Sequence, residues 1–255
     1  MFTACSSGGV CLSKEKRVVL QAGKLWYAKQ YRPLYGSAPA SQKRERREYT
    51  TEIRQKINFR TSYEKLWLIL ECNFKWNDLF VTMGYRDDTR PATKEAAEKR
   101  LYYFIKELRA ERKKNGQDLV YVRVTEGYHS NGLLHHHLIL NATGDDFETI
   151  RRLWQRNGDD VDFELYCRKH PIAHAKYITK EPREKGRRHV GDRIWRVSRN
   201  CKRPVIIKED VDAGSDLCAP PGALIQNKSN TENSFGRFQY IYAILDNPEP
   251  NSDLG

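Results

Sequence analysis

The chain reads as an α+β protein with a central antiparallel sheet and helices on one face. Three observations predict this class. Short apolar runs bounded by turn residues recur at 78–85, 119–126, 133–141 and 161–167. Amphipathic stretches of helical period separate the first run from the second and the third from the fourth. The second and third runs are joined only by Gly127 to Gly132, with Ser130-Asn131-Gly132 as a turn signal, which folds them back antiparallel. The order β-α-β-β-α-β is that of a ferredoxin-like unit.

Each element has a local reason. Residues 52–70 form a helix with apolar Ile53, Ile57, Leu66, Ile69 and Leu70 irregularly spaced. After the first strand, a loop with Asp87, Asp88 and Pro91 leads to a helix from Thr93 to Asn115. Thr93 is its expected N-cap, Leu101, Phe104, Ile105 and Leu108 its apolar stripe, and Asn115-Gly116 its stop. The next helix runs from Phe147 to Arg156 and ends at Asn157-Gly158. A last helix covers 171–182, because Pro171 suits a first turn and Pro182 an end. Outside these, residues 1–20 read as flexible, 21–60 as basic with interleaved aromatics, and 246–255 as disordered, while 238–245 form an added strand. The expected division is a basic extension over 1–60, a catalytic domain over 61–205 and a C-terminal extension over 206–255.

Composition narrows the function. The 255 residues carry 45 Lys and Arg against 33 Asp and Glu, a net charge of +12. That balance points to a polyanionic partner, a property shared with ribosomal and membrane-surface proteins. No run of 18 apolar residues exists, so no membrane span is expected. The first residues are too broken in hydropathy for a signal peptide. The six cysteines form no C-x-x-C pair, which argues against a structural zinc knuckle and fits reduced thiols in a cytoplasmic protein. No G-x-x-x-x-G-K-[S/T] occurs, so no P-loop is expected. In 21–60, Trp26, Tyr27, Tyr31, Arg32 and Tyr35 precede Lys43-Arg44-Glu45-Arg46-Arg47. Rings and cations so mixed suit single-stranded nucleic acid; a merely solvated basic extension is the alternative.

The run Leu133-Leu134-His135-His136-His137-Leu138-Ile139-Leu140 carries the chemistry. Strand side chains alternate, so His135 and His137 share one face and His136 points to the other with Leu134, Leu138 and Leu140. One histidine on such a strand is ordinarily a half-buried polar residue. Two on one face, with Glu126 at the end of the adjacent strand, make a two-nitrogen, one-carboxylate site for a divalent cation with positions left open. Tyr177 and Lys180, three apart, share a helix face, with His174 on or near it.

In that order and spacing, the motifs resemble those of rolling-circle replication initiators of the HUH endonuclease superfamily, phage or plasmid type. The first motif is Leu79-Phe80-Val81-Thr82-Met83-Gly84-Tyr85. The second is His135-His136-His137, with histidine in the usual hydrophobic slot, a mild departure because that side chain faces away. The third is Tyr177-Ile178-Thr179-Lys180, and the run from Trp195 through Arg199-Asn200 to Pro204 is similar to a stretch in initiators of small bacterial phages and plasmids. The resemblance covers roughly residues 78–205.

The resemblance implies an enzyme that nicks single-stranded or hairpin origin DNA. Tyr177 is the implied nucleophile, leaving a 5′-phosphotyrosine and a free 3′-hydroxyl. His135, His137 and Glu126 hold Mn²⁺ or Mg²⁺. Lys180 orients the phosphate or activates Tyr177, or is a plain surface lysine. Thr82, Arg199, Asn200, Arg44, Arg46 and Arg47 are expected at the DNA. Without a P-loop, host helicase and polymerase supply unwinding and synthesis. A transposase or mobilisation relaxase uses the same chemistry, and a non-catalytic single-strand-binding protein is the alternative outside the enzymes.

Overall fold

The structure is a computed structural model that describes residues 14–32, 52–127, 133–158, 160–166, 171–179, 193–233 and 236–246. The chain divides into two compact units, Arg44–Arg203, and Met1–Lys43 together with Pro204–Gly255.

The Arg44–Arg203 unit is α+β. Its sheet contains β3 (Leu79–Met83), β4 (Tyr121–Glu126), β5 (His135–Leu140), β6 (Val161–Leu165) and β7 (Trp195–Val197), in the antiparallel order β6-β3-β5-β4-β7. The expected β-α-β-β-α-β succession is present, with α2 (Lys94–Lys114) and α3 (Asp146–Trp154) as its helices. Leu101, Phe104, Ile105 and Leu108 of α2 and Ile150 and Trp154 of α3 pack against Leu79, Val81, Met83, Leu138 and Leu140 on one face. The opposite face is covered by α1 (Glu52–Asn73) and α4 (Pro171–Tyr177), through Leu66, Ile69, Leu70, Phe74, Ala175 and Ile178 against Phe80, Val122, Val124 and Ile139. The sequence pattern foresaw α4 there but left α1 unassigned to a face. Its stripe is Tyr63, Leu66, Leu70 and Phe74, at helical spacing, whereas Ile57 is exposed.

Local chemistry fixes the ends of these elements. The Thr93 hydroxyl accepts from the Ala96 N–H at 3.2 Å and caps α2. At the far end, Gly116 takes φ +66°, and the Gln117 N–H returns to the Arg112 carbonyl. Arg112 is itself buried. It donates to Asp146 at 2.7 Å and to the Asn141 carbonyl at 2.8 Å, tying the end of α2 to β5 and the start of α3. Gly158 lies where a Cβ would strike the Gly84 carbonyl and the Tyr85 backbone, so the turn after α3 closes onto β3. Trp154 fastens the same place by donating to the Gly84 carbonyl at 2.7 Å.

The second unit corrects two expectations. Residues from 14 onward, expected to be flexible, form β1 (Lys14–Ala22), and the basic aromatic stretch after it forms β2 (Leu25–Tyr31). Both lie inside a five-stranded antiparallel sheet of order β8-β1-β2-β10-β9, with β8 (Val205–Asp212), β9 (Leu224–Asn233) and β10 (Gly236–Ile244). The acidic tract after 205 is strand β8, whose Asp212, Asp210 and Glu209 pair with Lys14, Lys16 and Arg17 of β1 at 2.7, 2.5 and 3.3 Å. Charge in both strands hid their alternation, and the pairing joins residues 198 apart, beyond any local pattern. The expected strand at 238–245 is β10. One sheet face is closed by Trp26, Ala28, Ile241 and Ala243 beneath Leu217, Ala219 and Ala223.

Candidate metal centre and nucleophile

Register assembles the site. β5 lies between β3 and β4, with His137 opposite Thr82 on one side and Val124 on the other, and His135 opposite Glu126. Alternation therefore sets Phe80, Thr82, Glu126, His135 and His137 on one face. The Nε2 atoms of His135 and His137 lie 3.6 and 3.4 Å from the same Glu126 Oε2. Candidate ligand atoms of the three residues all fall within 4.8 Å of one another.

The rings are oriented from behind. His135 Nδ1 donates to the Leu133 carbonyl at 2.8 Å, so its Nε2 keeps a lone pair turned to Glu126. His137 Nδ1 sits 3.1 Å from the Thr82 hydroxyl, and Phe80 stacks on the same ring at 5.3 Å. Thr82, expected at the DNA, thus has its hydroxyl on the imidazole. This is the arrangement that holds metal-ligating histidines in one tautomer.

Electrostatics fit a cation. Burial would push the Glu126 carboxyl up, but hydrogen bonds and charge from His135 and His137 outweigh it and hold it down at about 2. Its Oε1 is buried with no hydrogen-bond partner among the described residues. A buried, ionised and half-satisfied carboxylate beside two imidazole nitrogens is the donor set of a divalent cation.

His136 is fully buried on the opposite face, as alternation predicted. The Tyr85 hydroxyl lies 2.6 Å from its Nε2 and the Thr125 hydroxyl 3.0 Å from its Nδ1. Burial, with Arg123 and the neighbouring histidines, pushes its pKa down to about 3, so it is a neutral core residue.

The ring of Tyr177, at the end of α4, lies 5.9 Å from His137 and is 48 % exposed. Tyr166, the next tyrosine upstream, is only 1 % exposed and packs on Phe74 and His174. His174 also meets Phe80, at 6.1 Å. Arg199 and Asn200 are exposed in the turn after β7. That turn is stitched down: Ser198 exchanges hydrogen bonds with the Tyr121 backbone, and Lys202 does so with the Asn73 side chain. Lys180, Arg44, Arg46 and Arg47 lie outside the described residues.

Sequence reasoning missed Phe80 and the Thr82–His137 contact. The signal was available, because antiparallel pairing of 79–83 with the histidine strand puts positions 80 and 82 on the metal face.

A ferredoxin-like antiparallel sheet with two imidazoles and a carboxylate converging on one face, and a tyrosine beside them, defines a class of metal-dependent protein. The family comparison falls on that unit. Residues 78–195 match the family described as replication-associated protein, ORF2/gene 2 protein type, which supports a replication initiator. No curated protein and no solved structure matches the chain. Among the described residues, no helix is long and apolar enough to cross a membrane.

Proposed function

We propose that this protein is a replication initiator of the HUH endonuclease superfamily, of phage or plasmid type, that nicks single-stranded origin DNA through Tyr177. The observation that carries the reading is the convergence of His135 and His137 on one Glu126 oxygen, with the Tyr177 ring against His137. The family match over the same residues supports it.

Glu126, His135 and His137 would hold Mn²⁺ or Mg²⁺, which when bound polarises the scissile phosphate. The Tyr177 oxygen attacks phosphorus, and the bond to the 3′-oxygen breaks. The 5′-phosphate remains on Tyr177, and the leaving 3′-oxygen takes up a proton to become the primer hydroxyl. One phosphodiester replaces another, so the reverse reaction rejoins DNA without ATP. The 3.1 Å contact to Thr82 and the 2.8 Å bond to Leu133 fix the imidazoles, so ligand geometry does not have to be found at the moment of reaction. Lys180 is assigned to orienting the phosphate or lowering the tyrosine pKa, and Arg199, Asn200, Arg44, Arg46 and Arg47 to DNA contacts. Unwinding and synthesis fall to host helicase and polymerase.

The test is incubation of an end-labelled single-stranded origin oligonucleotide with Mn²⁺. Wild type gives a covalent adduct on the 5′ side of the nick and an extendable 3′ end, and Tyr177→Phe gives neither. An adduct on the 3′ side would exclude an initiator, and an adduct that survives Tyr177→Phe would move the nucleophile elsewhere.

A further inference from the structure

The sheet of the Met1–Lys43 and Pro204–Gly255 unit has two unlike faces. One is closed by the chain's own Leu217, Ala219 and Ala223. On the other, register lines up Tyr27 with Tyr242, Lys29 with Tyr240, and Tyr31 with Phe238. Burial alternates accordingly: Trp26, Ala28, Gln30, Gln239, Ile241 and Ala243 are buried, while the residues between them are half-buried or exposed. Phe238 is 40 % exposed.

Five aromatic rings on two adjacent strands make a platform. The Tyr27–Tyr240 and Phe238–Tyr240 centroids are 6.4 and 6.3 Å apart with tilted planes, so these rings do not use up their faces on one another. Lys29 stands 5.7 Å from the Tyr31 ring centre. On the flanking strands, Lys208 is exposed on the same face, and Lys14 and Lys16 are there too, paired with Asp212 and Asp210.

We propose that this face binds single-stranded nucleic acid, with successive bases laid on Tyr27, Tyr31, Phe238, Tyr240 and Tyr242 and phosphates met by Lys29 and Lys208. Every base has a π-face, so rings spaced along a pleated strand accept a strand of any sequence, and the lysines neutralise its backbone. A net charge of +12 makes a polyanion the favoured occupant over an acidic-to-neutral protein surface. The choice of DNA over RNA rests on the proposed function; the stacking platform does not.

The test uses the full-length chain carrying Tyr177→Phe, so that nothing is cut, and a fluorescein-labelled oligothymidine of about 20 nucleotides, longer than the ~4–16 that comparable β-sheet single-strand sites cover. Anisotropy gives the affinity across a salt series. Tyr31→Leu and Tyr240→Leu keep apolar bulk while removing the ring, and each weakens binding about fivefold or more with the salt slope unchanged. Lys29→Gln with Lys208→Gln lowers the slope by about 1.4. A duplex of the same length does not lose affinity when the rings are removed. Phe238→Leu, at the most exposed ring, serves where the tyrosine variants lose their thermal transition. Ring variants that melt like wild type yet bind the oligonucleotide equally well would overturn the proposal, and would leave a protein partner as the occupant of this face. Adduct formation by wild type is scored in a separate reaction, so failure there leaves the binding result standing.

Discussion

His137 is held on several sides of its ring: Thr82 at Nδ1, Phe80 on its face, Glu126 toward Nε2. Removing the Thr82 hydroxyl while keeping its shape frees the ring to rotate and change tautomer. Thr82→Val should weaken Mn²⁺ binding by roughly 10- to 100-fold, and Thr82→Ser should restore it, as read by titration calorimetry. Equal affinity in all three proteins would reduce Thr82 to a packing residue. Alternation makes a second prediction at this scale. His135→Ala, His137→Ala and Glu126→Ala each abolish metal-dependent nicking, as chelation with EDTA does in wild type, with Mn²⁺ restoring only the latter. His136→Ala instead leaves the Tyr85 and Thr125 hydroxyls facing a cavity in the core, and costs about 2–4 kcal/mol of stability in a urea titration. Loss of nicking by His136→Ala in a fully stable protein would contradict the face assignment.

Elements are joined to the site at two backbone positions. Gly127 follows Glu126 with φ +94°, and a Cβ there would strike the Leu133 carbonyl, the group that accepts from His135 Nδ1. Gly127→Ala should therefore both destabilise the protein and displace His135. Its metal affinity should fall even where the native state is still fully populated, a combination that calorimetry with a parallel melting curve separates from simple unfolding. On the other face, Arg112 and Asp146 are 3 % and 2 % exposed and together join α2, β5 and α3. Asp146→Ala leaves a buried guanidinium without its counter-charge. The expected cost is about 3–5 kcal/mol by denaturant titration, whereas a simultaneous apolar replacement of both residues is far less damaging.

At the scale of the whole molecule, β1 and β2 are interior strands, flanked by β8 on one side and β10 on the other. Deleting residues 1–31 is thus not the trimming of a tail. It removes the middle of a sheet and leaves β8 and β10 with unpaired edges. The shortened chain should lose part of its strand signal in circular dichroism and self-associate on a sizing column. A monomer with an unchanged melting transition would show that these strands are dispensable. For the same reason, loss of DNA binding on deletion would not by itself assign contacts to the segment, whereas the single-ring substitutions do.

The sequence by itself determined the succession of strands and helices from 79 to 177, because hydrophobic period, the Thr93 cap and the glycine stops act within a few residues. It also determined which way the three histidines point, since a strand's two-residue period leaves no freedom once the strand is placed. Tertiary structure alone decided the rest. It set α1 over the metal face, put the Thr82 hydroxyl on His137, and drew residues 14–31 and 205–244 into one sheet. These outcomes depend on pairing and packing between segments far apart in the chain. No local pattern encodes them; they follow from the joint burial of apolar faces and the register it imposes.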